Sequence, residues 1–118
     1  MNNRQSGIEG ETIAVEYLKK KGYKILERNF SAKTGEIDII AQDGKYLVFV
    51  EVKSRDNLKF GQPIESISLA KVRKIARTAQ FYIVVNGKQN CLCRFDAIEV
   101  LRGEVNHIKN AFDLSDLY

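Results

Sequence analysis

Gly35-Glu36-Ile37-Asp38-Ile39-Ile40-Ala41-Gln42-Asp43-Gly44-Lys45-Tyr46-Leu47-Val48-Phe49-Val50-Glu51-Val52-Lys53 reads as two strands and the turn between them. Asp-Gly between apolar runs is among the strongest local hairpin signals, which sets one strand at Glu36 to Ala41 and the next at Tyr46 to Lys53. Tyr46-Leu47-Val48-Phe49-Val50 is apolar on both faces, the pattern of a central strand. Asp38, Glu51 and Lys53 interrupt these runs, although charged side chains are disfavoured there. A strand buried on both faces holds charge only when the charge is paired or bound to a metal.

The turn predicts a register. With Asp43-Gly44 as its two central residues, Gln42 faces Lys45, Asp38 faces Phe49 and Glu36 faces Glu51. Side chains alternate along a strand, so Glu36, Asp38, Glu51 and Lys53 emerge on one face. Asp38 and Glu51 are then diagonal neighbours, with Cβ atoms no more than about 7–8 Å apart.

Outward from the hairpin, Ser6-Gly7-Ile8-Glu9 has the form of a capping box and opens a helix running to Lys21 and stopping at Gly22. Glu11 lies three, four and seven residues before Ala14, Val15 and Leu18, so it shares their apolar stripe and can point at the same site as the strand acids. Glu9 and Glu16 read as capping and surface groups. Tyr23 to Phe30 is a short strand. Asp56 to Gly61 is a polar loop, and Pro63 marks the approach to a second helix. That helix carries Val72, Ile75, Ala76, Ala79 and Ile83 on its apolar face, sets Lys71, Arg73, Lys74 and Arg77 on the other, and ends at Asn86-Gly87-Lys88. Strands at Leu92 to Leu101 and Val105 to Ile108 meet at Arg102-Gly103. Tyr23, Tyr46 and Phe49 are expected in the core.

The 118 residues suit one domain spanning 1–118. No apolar run approaches the roughly 18 residues of a membrane span, and Met1 to Glu11 has no signal-peptide core, so a cytoplasmic protein is expected with no membrane partner. Cys91 and Cys93, with His107 far off in sequence, supply too few ligands for structural zinc and read as small buried hydrophobes. The net charge of +4 and pI of about 9.1 favour a polyanionic partner.

Two carboxylates within reach of one another, Asp38 and Glu51, can share Mg²⁺ or Mn²⁺ and set it against a phosphate oxygen. Lys53, two residues on, can orient a water or stabilise the transition state. The residue-level alternative is a structural ion pair between Lys53 and either carboxylate. Arg55, Lys59, Lys71, Arg73 and Lys74 are the candidates for phosphate contact, against the plainer reading of a solvated basic face.

Gly35-Glu36-Ile37-Asp38 followed by Glu51-Val52-Lys53 resembles the signature of the PD-(D/E)XK nuclease superfamily. More narrowly, the chain resembles the YraN family, also called UPF0102, of small endonuclease-like bacterial proteins. The resemblance runs through Gly10-Glu11 with Ala14, Gly22-Tyr23, Asn29-Phe30, Gly35 to Asp38, Phe49 to Arg55, Phe60-Gly61, Lys71 and Arg94-Phe95-Asp96, nearly the full length. Ile37 stands where the superfamily name has proline. The resemblance implies a restriction-endonuclease-like αβββαβ core with a mixed central sheet flanked by helices. It also implies that Asp38 and Glu51 are metal ligands, Lys53 the catalytic lysine and Glu11 the helix-borne acid of Holliday-junction-resolvase-like relatives. Asp96 matches the family too, the alternatives being a pairing with Arg94 or a turn cap. The expected function is a Mg²⁺- or Mn²⁺-dependent endonuclease acting on DNA, structured or branched. The competing readings are a non-catalytic nucleic-acid-binding module and a homodimeric domain joined through a sheet edge.

Overall fold

A computed structural model describes the backbone of residues 3–55 and 67–112 and the side chains of residues 9–54 and 67–112. The elements are α1 (Asn3–Lys20), β1 (Lys24–Ala32), β2 (Gly35–Asp43), β3 (Tyr46–Arg55), α2 (Leu69–Val85), β4 (Leu92–Leu101) and β5 (Glu104–Ile108). The strands form one sheet in the order β1-β2-β3-β4-β5. Neighbours run antiparallel except β3 and β4, which are parallel and joined through α2, since a parallel pair needs a long crossover. This is the mixed sheet flanked by helices of the expected α/β core, with β5 added at an edge. The polar loop from Asp56 to Gly61, with Lys59, and Pro63 lie outside the described residues.

Two helices cover opposite faces. Leu18, Val15 and Ala14 of α1 pack on Ile39, Ala41, Val48, Val50 and Ile98. Ile75, Ala79 and Tyr82 of α2 pack on Ile37, Ile40, Leu47, Phe49 and Phe95. Successive residues of β3 thus serve different cores, which is why Tyr46 to Val50 looked apolar throughout.

Helix α1 is already helical at Asn3, so Ser6 lies within it and the capping-box reading of Ser6 fails. A cap sits outside helical geometry, whereas Arg4 and Gln5 are good helix formers that extend α1 upstream. The other end matches the expected glycine stop. Gly22 has φ +90°, its N–H donates to Lys19 O (3.0 Å) and Tyr23 N–H to Leu18 O (3.0 Å), a Schellman closure.

Where α1 crosses β3 there is no room for a side chain at position 10. A Cβ on Gly10 would lie 2.6 Å from both Cβ and Oγ of Ser54. Gly10→Ala gains about 1 kcal/mol of helix propensity, but forcing α1 off the sheet costs about 1–3 kcal/mol. A net loss in denaturant midpoint is expected, and Ser54→Gly in the same chain should turn it into a gain. A stabilised single variant would show that the helix has slack at this contact.

The hairpin register differs from expectation. Asp43 pairs with Tyr46, Ala41 with Val48 and Ile39 with Val50, so the central turn residues are Gly44-Lys45 and every pairing is displaced by two. Gly44 alone of the two has positive φ, +57°, which suits a turn with glycine in the first central position. A shift of two leaves each side chain on its face, where a shift of one would invert it.

On the α1 face, near this turn, lies a buried polar network. Asp96 is fully buried and accepts from Arg94 Nε (2.9 Å), Arg94 Nη2 (3.1 Å) and the Asn110 N–H (3.1 Å). His107 Nε2 lies 2.7 Å from the same carboxylate. Arg94 also donates to Asp43 (3.1 Å) and to the Tyr23 hydroxyl (2.7 Å). Burial alone would raise the Asp96 pKa, but the bonds from His107 and Arg94 outweigh it and hold it below the usual carboxylate range. Asp96 therefore has the expected Arg94 partner and several more. Tyr46 is 39% exposed, not core. Its ring packs beside the Arg94 guanidinium, 5.3 Å from centroid to Cζ. Tyr23 and Phe49 are buried as expected. Cys91 and Cys93 are free thiols packed partly buried against the α2-side core.

Candidate functional site

Strands β2 and β3 part company at the acidic residues. Their ladder ends at Ile39 and Val50, while β3 stays paired with β4 through Lys53 and Glu99 as far as Arg55 and Leu101. The Val52 N–H would be left without a partner by that separation. It donates instead to Asp38 Oδ2 at 2.8 Å, as a buried amide must find some acceptor. Strict alternation also fails here: Ile37 and Ile40 belong to one core and Ile39 to the other. The break opens a cleft of about 230 Å³ lined by Glu36, Asp38, Glu51, Lys71, Lys74 and Ile75.

Three of the four residues expected on one face, Glu36, Asp38 and Glu51, line this cleft. Glu36 is exposed at its rim. Glu51 is 4% exposed, and Asp38 is half-buried beside it. Desolvation and then the charge of Glu51 push the Asp38 pKa up to about 7, against the restraining Val52 hydrogen bond. Lys53 is half-buried; burial and the neighbouring Lys71 ammonium hold its pKa below the usual lysine value.

Lys71 departs from the sequence reading. The helical period sets it on the polar face with Arg73, Lys74 and Arg77, yet its Nζ lies 2.5 Å from Glu51 Oε1. Burial would lower its pKa, but pairing with Glu51 leaves it raised. A signal was present in the sequence. Lys71 stands four, seven and eleven residues before Ile75, Thr78 and Tyr82, all buried, so it shares their stripe. Ser68 caps α2 by accepting from the Lys71 N–H (3.1 Å). The helix is pinned to the start of β2 where the Thr34 and Thr78 hydroxyls share a hydrogen bond (2.8 Å). Gly35, at φ +150°, leaves only 3.3 Å between its would-be Cβ and Thr78 Oγ1. Arg73, Lys74 and Arg77 are exposed, as a solvated or phosphate-facing surface requires. Arg55 ends β3.

Glu11 does fall on the packing side of α1. Its side chain is 13% exposed and lies 3.5 Å from Arg28 Nε of β1. That separation attracts but makes no hydrogen bond, and Glu11 Oε1 is buried without one. Its charge contributes to raising the Asp38 pKa.

The acids fit a hard divalent ion held sparingly. Among the described residues no group of three or more His, Cys, Asp and Glu is gathered as a ready cage. Mg²⁺ commonly binds through one or two carboxylates and keeps several waters. Asp38 retains Oδ1, and Glu51 both oxygens once Lys71 moves aside. The proton-holding tendency of Asp38 beside Glu51 is that of two carboxylates short of positive charge.

A pH dependence follows in metal-free buffer. Asp38 titrates near 3.8 when unfolded and about 7 when folded, so the folded state binds more protons between these values. Its contribution to stability is full below about pH 4, falls as pH rises to 7, and is flat above. Unfolding at pH 5 and pH 8 should show wild type weaker at pH 8. Asp38→Asn should remove that slope and gain on the order of 2–4 kcal/mol at pH 8. A slope surviving in the variant would assign it to other groups.

Among the described residues no helix is long and apolar enough to cross a membrane. Residues 10–100 match the family described as uncharacterised protein family UPF0102. The chain is 54% identical over 114 residues to a UPF0102 protein of Clostridioides difficile, covering 95% of this chain and all of that one. A UPF0102 protein of Caldicellulosiruptor saccharolyticus is 49% identical over 118 residues, covering 95% of this chain and all of its own. One from Persephonella marina is 54% identical over 111 residues, 92% of this chain and 93% of its own. The matched span takes in Glu11, Asp38, Glu51, Lys53, Lys71 and Asp96 alike, and this chain belongs to the UPF0102 family.

Proposed function

We propose that this chain, as one domain over residues 1–118 acting in the cytoplasm, is a divalent-metal-dependent endonuclease that hydrolyses phosphodiester bonds in DNA, structured or branched DNA above all. The observation that carries the reading is the convergence of Asp38 and Glu51 in the cleft where β2 and β3 separate. Two charges set into the most apolar strands of the sheet cost several kcal/mol each unless a cation meets them. Asp38 and Glu51 would hold Mg²⁺ or Mn²⁺, with Glu11 adding negative charge behind Asp38. The bound ion supplies Lewis-acid neutralisation of a phosphate oxygen and a water of lowered pKa. Lys53, beside both carboxylates, would orient an attacking water and meet the charge developing on the phosphate. Arg73 and Lys74 on α2, with Arg55 and Lys59, contact flanking phosphates.

One observation favours a second reading, a nucleic-acid-binding module without catalysis. Lys71 already neutralises part of the carboxylate charge, so phosphate can approach without metal. The two separate in one experiment. Mg²⁺ or Mn²⁺ is titrated calorimetrically into wild type and an Asp38→Asn/Glu51→Gln variant, with cleavage of branched and linear DNA scored alongside. Metal binding and cleavage that vanish together in the variant support the nuclease. Salt-sensitive DNA binding that needs no metal, with no cleavage by either protein, supports the module.

A further inference from the structure

Two ion pairs with a buried carboxylate, Arg94–Asp96 and Lys71–Glu51, are built differently. Arg94 is 12% exposed and spreads four hydrogen bonds over Asp96, Asp43 and Tyr23. Such a planar, multiply held guanidinium stays where it is. Lys71 meets Glu51 through one ammonium at 2.5 Å, and its side chain remains 42% exposed while Glu51 is 4% exposed. A flexible, strongly hydrated ammonium can leave such a contact by rotating its stem toward solvent, with little desolvation to undo. Glu51, by contrast, cannot be left without a cation. Asp38 and Lys74 line the same cleft, so a departing ammonium and an arriving cation would exchange within one space.

We infer that Lys71 is the resident counter-cation of the Asp38–Glu51 carboxylates, occupying their cleft when no metal is bound and competing directly with a divalent ion for it. This rests on the metal-site reading above and deepens it. Lys71 is a positioning residue that acts on the carboxylates and sets how much metal the protein needs before the site is filled. A purely structural Lys71, tying α2 to the sheet, would leave metal affinity unchanged or lower it on removal.

The test is calorimetric titration of Mg²⁺ and of Mn²⁺ into wild type, Lys71→Met, Lys71→Gln, Lys71→Arg and Lys74→Met, without nucleic acid. Lys74→Met removes the same charge from the rim of the same cleft and so measures attraction through space alone. Lys71→Met and Lys71→Gln should bind about ten-fold tighter than wild type, Lys74→Met within about two-fold, and Lys71→Arg no tighter. Melting in EDTA and in excess Mg²⁺ gives a second readout: the ion should raise Tm more for Lys71→Met than for wild type, because Glu51 then lacks the ammonium paired with it. If Lys71→Met does not fold in EDTA, Lys71→Gln, which keeps a hydrogen-bond donor to Glu51, carries the comparison. Wild-type binding with neither Lys71 variant tighter than Lys74→Met overturns the competition and leaves the metal site standing. Absence of binding in every protein, Lys71→Met included, overturns the metal site and this inference with it.

Discussion

Cleavage by purified protein should fall about 10³-fold or more in Asp38→Ala and in Lys53→Ala, because each removes a charge the transition state requires. The two losses should differ in origin. Asp38 is a proposed metal ligand, so its removal should abolish metal binding and cleavage together. Lys53 sits among Lys71, Glu51 and Asp38, and deleting a positive charge there cannot weaken attraction for a cation. Lys53→Ala should therefore bind metal at least as well as wild type while losing the chemical step. In kinetic terms kcat should fall with little change in the metal concentration at half-saturation. Full cleavage retained by both variants would make the assignment wrong. Loss of metal binding in Lys53→Ala would recast the lysine as a structural partner of the acids.

Arg94→Met is expected to be the most damaging substitution for the fold, lowering stability by about 3–5 kcal/mol. Asp96 is fully buried and would lose two of its hydrogen bonds at once, while Asp43 and the Tyr23 hydroxyl lose one each. An unpaired buried carboxylate costs far more than the pair contributed when intact. A domain of this size has roughly 5–15 kcal/mol in all, so Tm should drop by about 10–20 °C. Arg94→Met/Asp96→Leu should recover part of that loss, since removing both partners leaves no lone charge. His107 and the Asn110 N–H would still lack their acceptor, which keeps the recovery incomplete. A single variant within about 1 kcal/mol of wild type would mean that His107 alone satisfies Asp96. The cleft opens toward α2, on the face of the sheet opposite this network, so metal affinity of the folded fraction should be unchanged.

Within the sequence itself, period and composition were enough for the order of elements, the hairpin, and the face on which Glu36, Asp38 and Glu51 emerge. These are local properties: alternation along a strand survives a register error of two, which is the error the Asp43-Gly44 turn produced. The stop at Gly22 and the two cores served by β3 were legible for the same reason. Only the tertiary structure decided that β2 and β3 separate after Ile39 and Val50, with Asp38 taking the Val52 amide in place of the ladder. It also brought Lys71 to Glu51, and Arg94 to Asp43 and Tyr23 across 51 and 71 residues of chain. Such contacts depend on where a crossover helix and a parallel strand come to lie against the sheet. That position is set by the packing of whole faces on one another, and no window of neighbouring residues contains it.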